Sequence, residues 1–218
     1  MSIQTFNFYG DSSIGLYGFA TEKFVLLGHL EHGIADNINH TLGVKPIITT
    51  VAGTNLAGVF CAGNSNGVVL PEIAYPHEIS QIEKHAKVLV LEGKYTALGN
   101  IVLVNDNGCV ISEKLKGHKE ELEDFFKVPV EVSKVAGLDL PGALGIANSN
   151  GCVVHKGIKD KEKEVLESTL KVKAEPADVN FGSSFVKSGI IANSKGLLVG
   201  KQTSGPELEK IAEILGFS

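Results

Sequence analysis

The chain has 218 residues, 43% of them hydrophobic, and a net charge of −5, and all 20 of its basic residues are lysine. There is ample material for a core, but an acidic chain without arginine lacks the side chain best suited to bidentate contact with phosphates and bases. This argues against autonomous nucleic-acid binding and for a protein partner. No apolar run approaches the ~18 residues of a membrane span, and Met1-Ser2-Ile3-Gln4-Thr5 has no basic region ahead of an apolar block, so neither a membrane anchor nor a signal peptide is expected.

The chain opens with Ile3-Gln4-Thr5-Phe6-Asn7-Phe8, an alternating strand pattern. A hairpin-like stretch follows at Phe19-Ala20-Thr21-Glu22-Lys23-Phe24-Val25-Leu26, then a helical stripe of Ile34, Ile38, Thr41 and Leu42, then a strand at Ile47-Ile48-Thr49-Thr50-Val51. The same series recurs. Ala62-Gly63-Asn64-Ser65-Asn66-Gly67-Val68-Val69-Leu70 leads to Ile79, Ile82 and Ala86 behind Pro76, then to Val88–Leu91. Residues 103–111 lead to Leu122, Phe125 and Phe126 after Gly117, then to a strand over 128–132. Residues 146–154 lead to Val165, Leu166, Thr169 and Leu170, then to a strand over 172–175. Residues 191–199 lead to Leu208, Ile211, Ala212 and Leu215, with Ser204 and Glu207 as a capping box and Gly216 as the stop.

Each hairpin is an apolar run, a polar loop closing on Gly, and a second apolar run. The Gly is read as a positive-φ turn residue, with Lys23 in its place in the first copy. From Lys23 to Gly67, Gly108, Gly151 and Gly196 the steps are 44, 41, 43 and 45 residues. Periods of this size mark a repeat architecture. The fifth unit ends at its helix and lacks a last strand, whereas the N-terminal strand has no partner in its own unit. Closure solves both: the N-terminal strand completes the fifth unit. The expected fold is α/β, five ββαβ units in a closed pseudo-five-fold ring with strands inside and amphipathic helices outside, a single domain over residues 1–218.

Candidate chemistry is sparse. Cys152 and His155 lie three apart on a strand and point to opposite faces. Cys61, Cys109 and Cys152 sit in apolar runs and read as buried, reduced thiols of a cytoplasmic protein. His29, Glu31, His32 and His40 lack a metal-binding spacing. Gly196 to Thr203 resembles a phosphate loop, but its glycines are one residue too close and Gln202 separates Lys201 from Thr203. No catalytic residue, metal or cofactor is expected.

The opening segment of each unit remains: residues 9–15, 53–59, 96–100, 137–145 and 182–189. By repeat symmetry these five loops gather at one end of the ring. They are small, Gly-rich and nearly uncharged, and form either tight turns lining the axis or a mildly apolar docking disk. The docking reading uses Asn55, Leu56, Val59, Leu98, Gly99, Asn100, Pro141, Leu144, Ser183 and Phe185. On this reading charged substitutions at Asn100, Leu144 and Phe185 abolish partner binding and leave the melting temperature almost unmoved.

The segments AGTNLAG, AGNSNGVVLP, TALGN and NSNGCVVHK, in this order and spacing, resemble the translation initiation factor 6 family from about Ile14 to Leu215. The chain stops at Ser218, without the polar tail of eukaryotic members, and so looks like an archaeal one. The resemblance implies the pentein ring and a non-enzymatic cytoplasmic monomer. Its role would be to bind the large ribosomal subunit and block joining of the small one. It further implies a ribosomal protein of the subunit-joining face as main partner, with rRNA nearby, and contacts at Val59, Asn100, Leu144 and Phe185. The rival class is a guanidine-modifying enzyme on the same ring. Such enzymes take a Cys nucleophile from the last unit, where this chain has neither Cys nor His.

Overall fold

The structure, a computed structural model, describes residues 2–28 and 34–217. Of the histidine group weighed above, His29, Glu31 and His32 lie outside the described residues.

Strand β1 (Ser2–Phe6) starts the chain. The first unit has a 3₁₀ turn (Ile14–Leu16), β2 (Gly18–Ala20), β3 (Phe24–Leu27), α1 (Ile34–Leu42) and β4 (Lys45–Ile48). The second has a helical turn α2 (Ala57–Phe60), β5 (Ala62–Asn64), β6 (Gly67–Pro71), α3 (Pro76–Glu83) and β7 (Val88–Leu91). The third has α4 (Leu98–Ile101), β8 (Val102–Val104), β9 (Cys109–Ile111), α5 (Lys119–Phe126) and β10 (Val130–Val132). The fourth has α6 (Pro141–Leu144), β11 (Gly145–Ala147), β12 (Gly151–Val154), α7 (Asp160–Leu170) and β13 (Lys173–Pro176). The fifth has a 3₁₀ turn (Val186–Gly189), β14 (Ile190–Ala192), β15 (Gly196–Gly200) and α8 (Gly205–Ile214).

Each unit is a three-stranded sheet. Its first strand is antiparallel to the second, and the third returns parallel to the second after the helix. In the fifth unit that third place is filled by β1, parallel to β15, with Ser2 opposite Gly196 and Phe6 opposite Gly200. The N-terminal strand thus completes the last unit, as the repeat arithmetic requires.

The apolar core lies between the units. Val68 and Leu70 pack into the cluster shared with the first unit, whereas Val69 faces the third. Cys109 and Ile111 face the second unit and Val110 the fourth. Successive strand residues point to opposite faces, so a middle strand covered on both sides reads as an unbroken apolar run. Each helix buries one stripe: Ile38, Thr41 and Leu42 in α1, and Leu166, Thr169 and Leu170 in α7.

Neighbouring units are stapled by asparagines at the hairpin loops. Asn105 Nδ2 donates to the carbonyls of Asn148 and Leu170, both at 3.0 Å. Asn148 does the same to Asn193 (3.1 Å) and Leu215 (3.0 Å). Asn193 donates to Thr21 (3.1 Å) and Leu42 (2.9 Å), which joins the last unit to the first. Each of these Asn Oδ1 atoms accepts two N–H groups of its own loop, as in Asn150 (2.8 Å) and Gly151 (2.9 Å) on Asn148.

Several details differ from the sequence reading. Gly67, Gly108, Gly151 and Gly196 do not have positive φ. A side chain is excluded there by the adjoining unit: a Cβ at Gly108 would fall on the carbonyl of Thr169, and at Gly151 on that of Ile214. In the first unit this place belongs to Phe24, not Lys23, because Thr21 N–H donates to Phe24 as Asn105 does to Gly108. Phe24 instead fills the junction with the second unit, in one cluster with Ile82. Strand β4 starts at Lys45, two residues before the expected Ile47. Its Pro46 is tolerated because β4 is an edge strand, where a missing N–H leaves no ladder bond unmade. Helix α3 stops at Glu83, so Ala86 follows it.

Candidate functional site

The opening loops are built by one local device. In three units the chain makes a two-residue turn at positive φ: Tyr9-Gly10, Ala52-Gly53 and Ala136-Gly137. A single bridge closes each, pairing Phe8 with Asp11, Val51 with Thr54, and Val135 with Leu138. The fifth unit has one residue more, Asn180-Phe181-Gly182, between Val179 and Ser183. In the second, fourth and fifth units an acid in the first turn of the unit's own helix holds the bend. Glu78 accepts from Ala52 N–H (2.8 Å), Gly53 N–H (2.9 Å) and Thr50 Oγ1 (2.6 Å) while also capping α3 at Tyr75 N–H (2.8 Å). Glu162 takes Gly137, and Glu207 takes Gly182 (2.7 Å) beside its expected cap partner Ser204 (2.7 Å). Burial pushes the Glu78 carboxyl up, but its donors outweigh that and hold it below the ordinary carboxylate range.

From each bend the chain drops to the axis as a short helical turn. The turns pack in a closed circle: the first 3₁₀ turn on α2, α2 on α4, α4 on α6, α6 on the last 3₁₀ turn, and that on the first. Their innermost residues are Gly15, Gly58, Gly99 and Gly142, where the backbones meet directly. A Cβ at Gly58 would fall on the carbonyl oxygen of Gly15, and one at Gly99 on that of Gly58. The fifth place is Lys187. Its side chain crosses the axis, and Nζ donates to Gly58 O at 2.8 Å and to Gly99 O at 2.5 Å. Burial pushes this ammonium down to about 8, and the two carbonyls oppose that by binding the charged form.

Lys187 separates two spaces on the axis. Below it is a narrow channel of about 50 Å³ walled by first strands of the units, including Phe19, Ala62 and Val104. Above it is a depression of about 270 Å³ open to the surface, lined by residues of all five units: Gly15, Leu16, Gly58, Asn100, Leu140, Ala143, Phe185, Lys187 and Ser188.

The ten expected contact residues divide sharply. Phe185 is 48% exposed; Asn55, Leu56, Val59, Asn100 and Ser183 are half-buried. Leu98 and Leu144 are 0% exposed, and Gly99 and Pro141 are buried. Those four support the surface from beneath, because each sits in a helical turn whose inner side faces the axis or the core. The expectation that a charge at Leu144 leaves stability unmoved is therefore corrected: Leu144 shares a core cluster with Cys152 and Leu166.

The sequence reading also missed residues. Phe181 is 86% exposed, Tyr9 49% and Leu138 45%, all on the opening bends. The signal for Phe181 was present in Asn180-Phe181-Gly182, an aromatic between two turn formers. Lys187 was overlooked within a segment described as nearly uncharged. The opening segments thus expose several large apolar side chains, Phe185 among them at the wall of a depression with one cation at its base.

The remaining candidates are structural. Cys61, Cys109 and Cys152 are free and fully buried, and burial drives each thiol up. His155 accepts from Gly157 N–H at 2.8 Å, and Cys152 lies in the core of β12. The phosphate-loop look-alike, Gly196–Gly200, is strand β15. Among the described residues no group of three or more His, Cys, Asp or Glu is placed to hold a metal ion, and no helix is long and apolar enough to cross a membrane.

A structure of a mutant DDAH from Pseudomonas aeruginosa complexed with citrulline matches with TM-score 0.50 at 15% identity, over 77% of this chain and 70% of that one. This likeness extends to the fold alone and supports the pentein-like five-unit repeat. The profile of the eIF-6 family matches residues 3–214. Translation initiation factor 6 of Staphylothermus marinus is 36% identical, covering 97% of this chain and 96% of that protein. The protein of the same name from Pyrococcus horikoshii is 34% identical over all of both chains, and that of Methanocaldococcus jannaschii 35% over 96% of each. With a family profile spanning almost every residue and full-length relatives above 30% identity, the chain belongs to the eIF-6 family of translation initiation factors.

Proposed function

We propose that this factor binds the large ribosomal subunit through the end of the ring formed by the opening loops and so keeps the small subunit from joining. It acts as a rigid cytoplasmic monomer, one unit across its whole length, that covers surface and performs no chemistry. One observation carries the reading: Phe181, Phe185, Tyr9 and Leu138 stand exposed together at the end where all five units converge. Exposed apolar groups of this kind mark interfaces rather than free surface. The main partner is a ribosomal protein of the joining face, with rRNA nearby; the absence of arginine accords with a contact that does not rest on phosphates. Buried thiols raised far from reactivity tell against the guanidine-modifying alternative.

The test is cosedimentation with isolated large subunits, paired with a subunit-joining assay. Phe181→Asp and Phe185→Asp should each weaken binding about tenfold or more, as loss of an interface anchor does. Both should leave the melting midpoint nearly unchanged and restore joining. Full binding by the double variant would refute the assignment of this face.

A further inference from the structure

The five-fold pattern is broken at its narrowest point by a lysine, and the break faces the surface proposed to dock. Four of the five innermost positions are glycine; the fifth is Lys187, at the base of the 270 Å³ depression. Its ammonium has three protons to donate, and two are held by Gly58 O and Gly99 O. No carboxylate pairs with it among the described residues, although eight lysine–carboxylate ion pairs are present there. The walls around it, Leu16, Leu140, Ala143 and Phe185, are apolar, and the other polar side chains are Asn100 and Ser188.

A largely desolvated ammonium held, among the described residues, by carbonyl dipoles and no carboxylate is an incomplete arrangement, because pairing with an opposite charge is what offsets desolvation of an ion. We infer that the depression is a socket for one acidic side chain of the docked protein partner, its methylenes against the apolar walls and its carboxylate on Lys187. A short side chain fits a shallow cup with a single cation at the bottom. An RNA backbone, with successive phosphates on a broad ribbon, instead needs an open row of cations, and this depression is lined by one lysine. An aliphatic side chain would bury the ammonium further with nothing in return.

This inference rests on the docking face proposed above, and the experiment separates the two. Wild-type protein, Phe181→Asp and Lys187→Met are titrated with isolated large subunits at a temperature where all three are folded. Independently, the wild-type complex is treated with a water-soluble carbodiimide. The reagent activates a carboxylate, the Lys187 amine displaces the urea leaving group, and an amide forms; the linked peptides are identified by mass spectrometry. Expected are a tenfold or greater weakening for Lys187→Met and an amide from Lys187 Nζ to an Asp or Glu of a ribosomal protein. If Phe181→Asp binds like wild type, the docking face itself is wrong. If Phe181→Asp loses binding but Lys187→Met keeps it, the face stands and the socket is overturned. A bound complex that yields no Lys187–carboxylate link, or a link from Lys187 to RNA under a phosphate-directed reagent, overturns it too. The wild-type cross-link keeps the proposal open to refutation even if Lys187→Met fails to fold.

Discussion

Replacing Asn148 by Ala removes one staple between the fourth and fifth units. The side chain, 3% exposed, donates to Asn193 O at 3.1 Å and Leu215 O at 3.0 Å and accepts from Asn150 N–H and Gly151 N–H at 2.8 and 2.9 Å. Each such bond contributes about 1 kcal/mol net, and a buried partner left unsatisfied costs ~1–3 kcal/mol. Asn150 is exposed and its N–H can be hydrated, so the expected loss is about 4 kcal/mol, a large part of a typical domain's ~5–15 kcal/mol. Asn148→Asp separates the two halves of the staple. Its carboxylate still accepts from the loop, but it sets negative charge against two carbonyl oxygens, so it should be less stable than Asn148→Ala. Lys161→Ala, at an exposed position of α7, serves as control and should stay within about 0.5 kcal/mol. Urea unfolding followed by circular dichroism measures all three. A loss under about 1 kcal/mol for Asn148→Ala, or an Asp variant as stable as wild type, would refute the staple argument.

Leu144→Asp buries a carboxylate beside Cys152 and Leu166 and should prevent folding or cost more than ~4 kcal/mol, visible as loss of soluble, cooperatively melting protein. Gly151→Ala sets a methyl on the carbonyl of Ile214 and should lower stability by about 1–3 kcal/mol in the same urea assay. Lys187 has a folded pKa of about 8 against 10.5 for an unperturbed lysine. The unfolded chain therefore binds more protons between those values, and stability rises with pH across that window relative to Lys187→Met; a falling difference in pH-dependent melts would contradict the burial of the ammonium. The three thiols should resist a disulfide reagent in native buffer and react together on unfolding; early reaction of one alone would place it near solvent.

The ring was readable from the chain because a repeat makes each unit a check on the others. The spacing of the Gly-closed loops gave the count, and the unpaired Ile3–Phe8 pattern gave the closure. Less readable was the cause of the glycines. Positive φ and close approach both demand Gly, and only the register shows that Gly151 makes room for Ile214 of the next unit. The docking end was legible as a place but not residue by residue. Leu144 and Phe185 look alike in a loop of mixed small residues, yet one turns to the core and the other to solvent. The difference is one of place: Leu144 ends the four-residue turn α6, whereas Phe185 stands just before the last 3₁₀ turn, and segments this short show no period. Lys187 was hidden for a related reason: it occupies a glycine's place in the repeat, and charge ordinarily means surface.

The strand that completes the fifth unit is made long before the strand it pairs with. Residues 2–6 have to wait for residues 196–200. At synthesis rates of ~5–20 residues per second that wait is about 10–40 s. Throughout it the nascent polypeptide carries one unsatisfied strand and an open seam, and closure is held back until the fifth unit's hairpin has emerged. A protein whose family works in translation thus cannot close its own ring until its fifth unit has been translated.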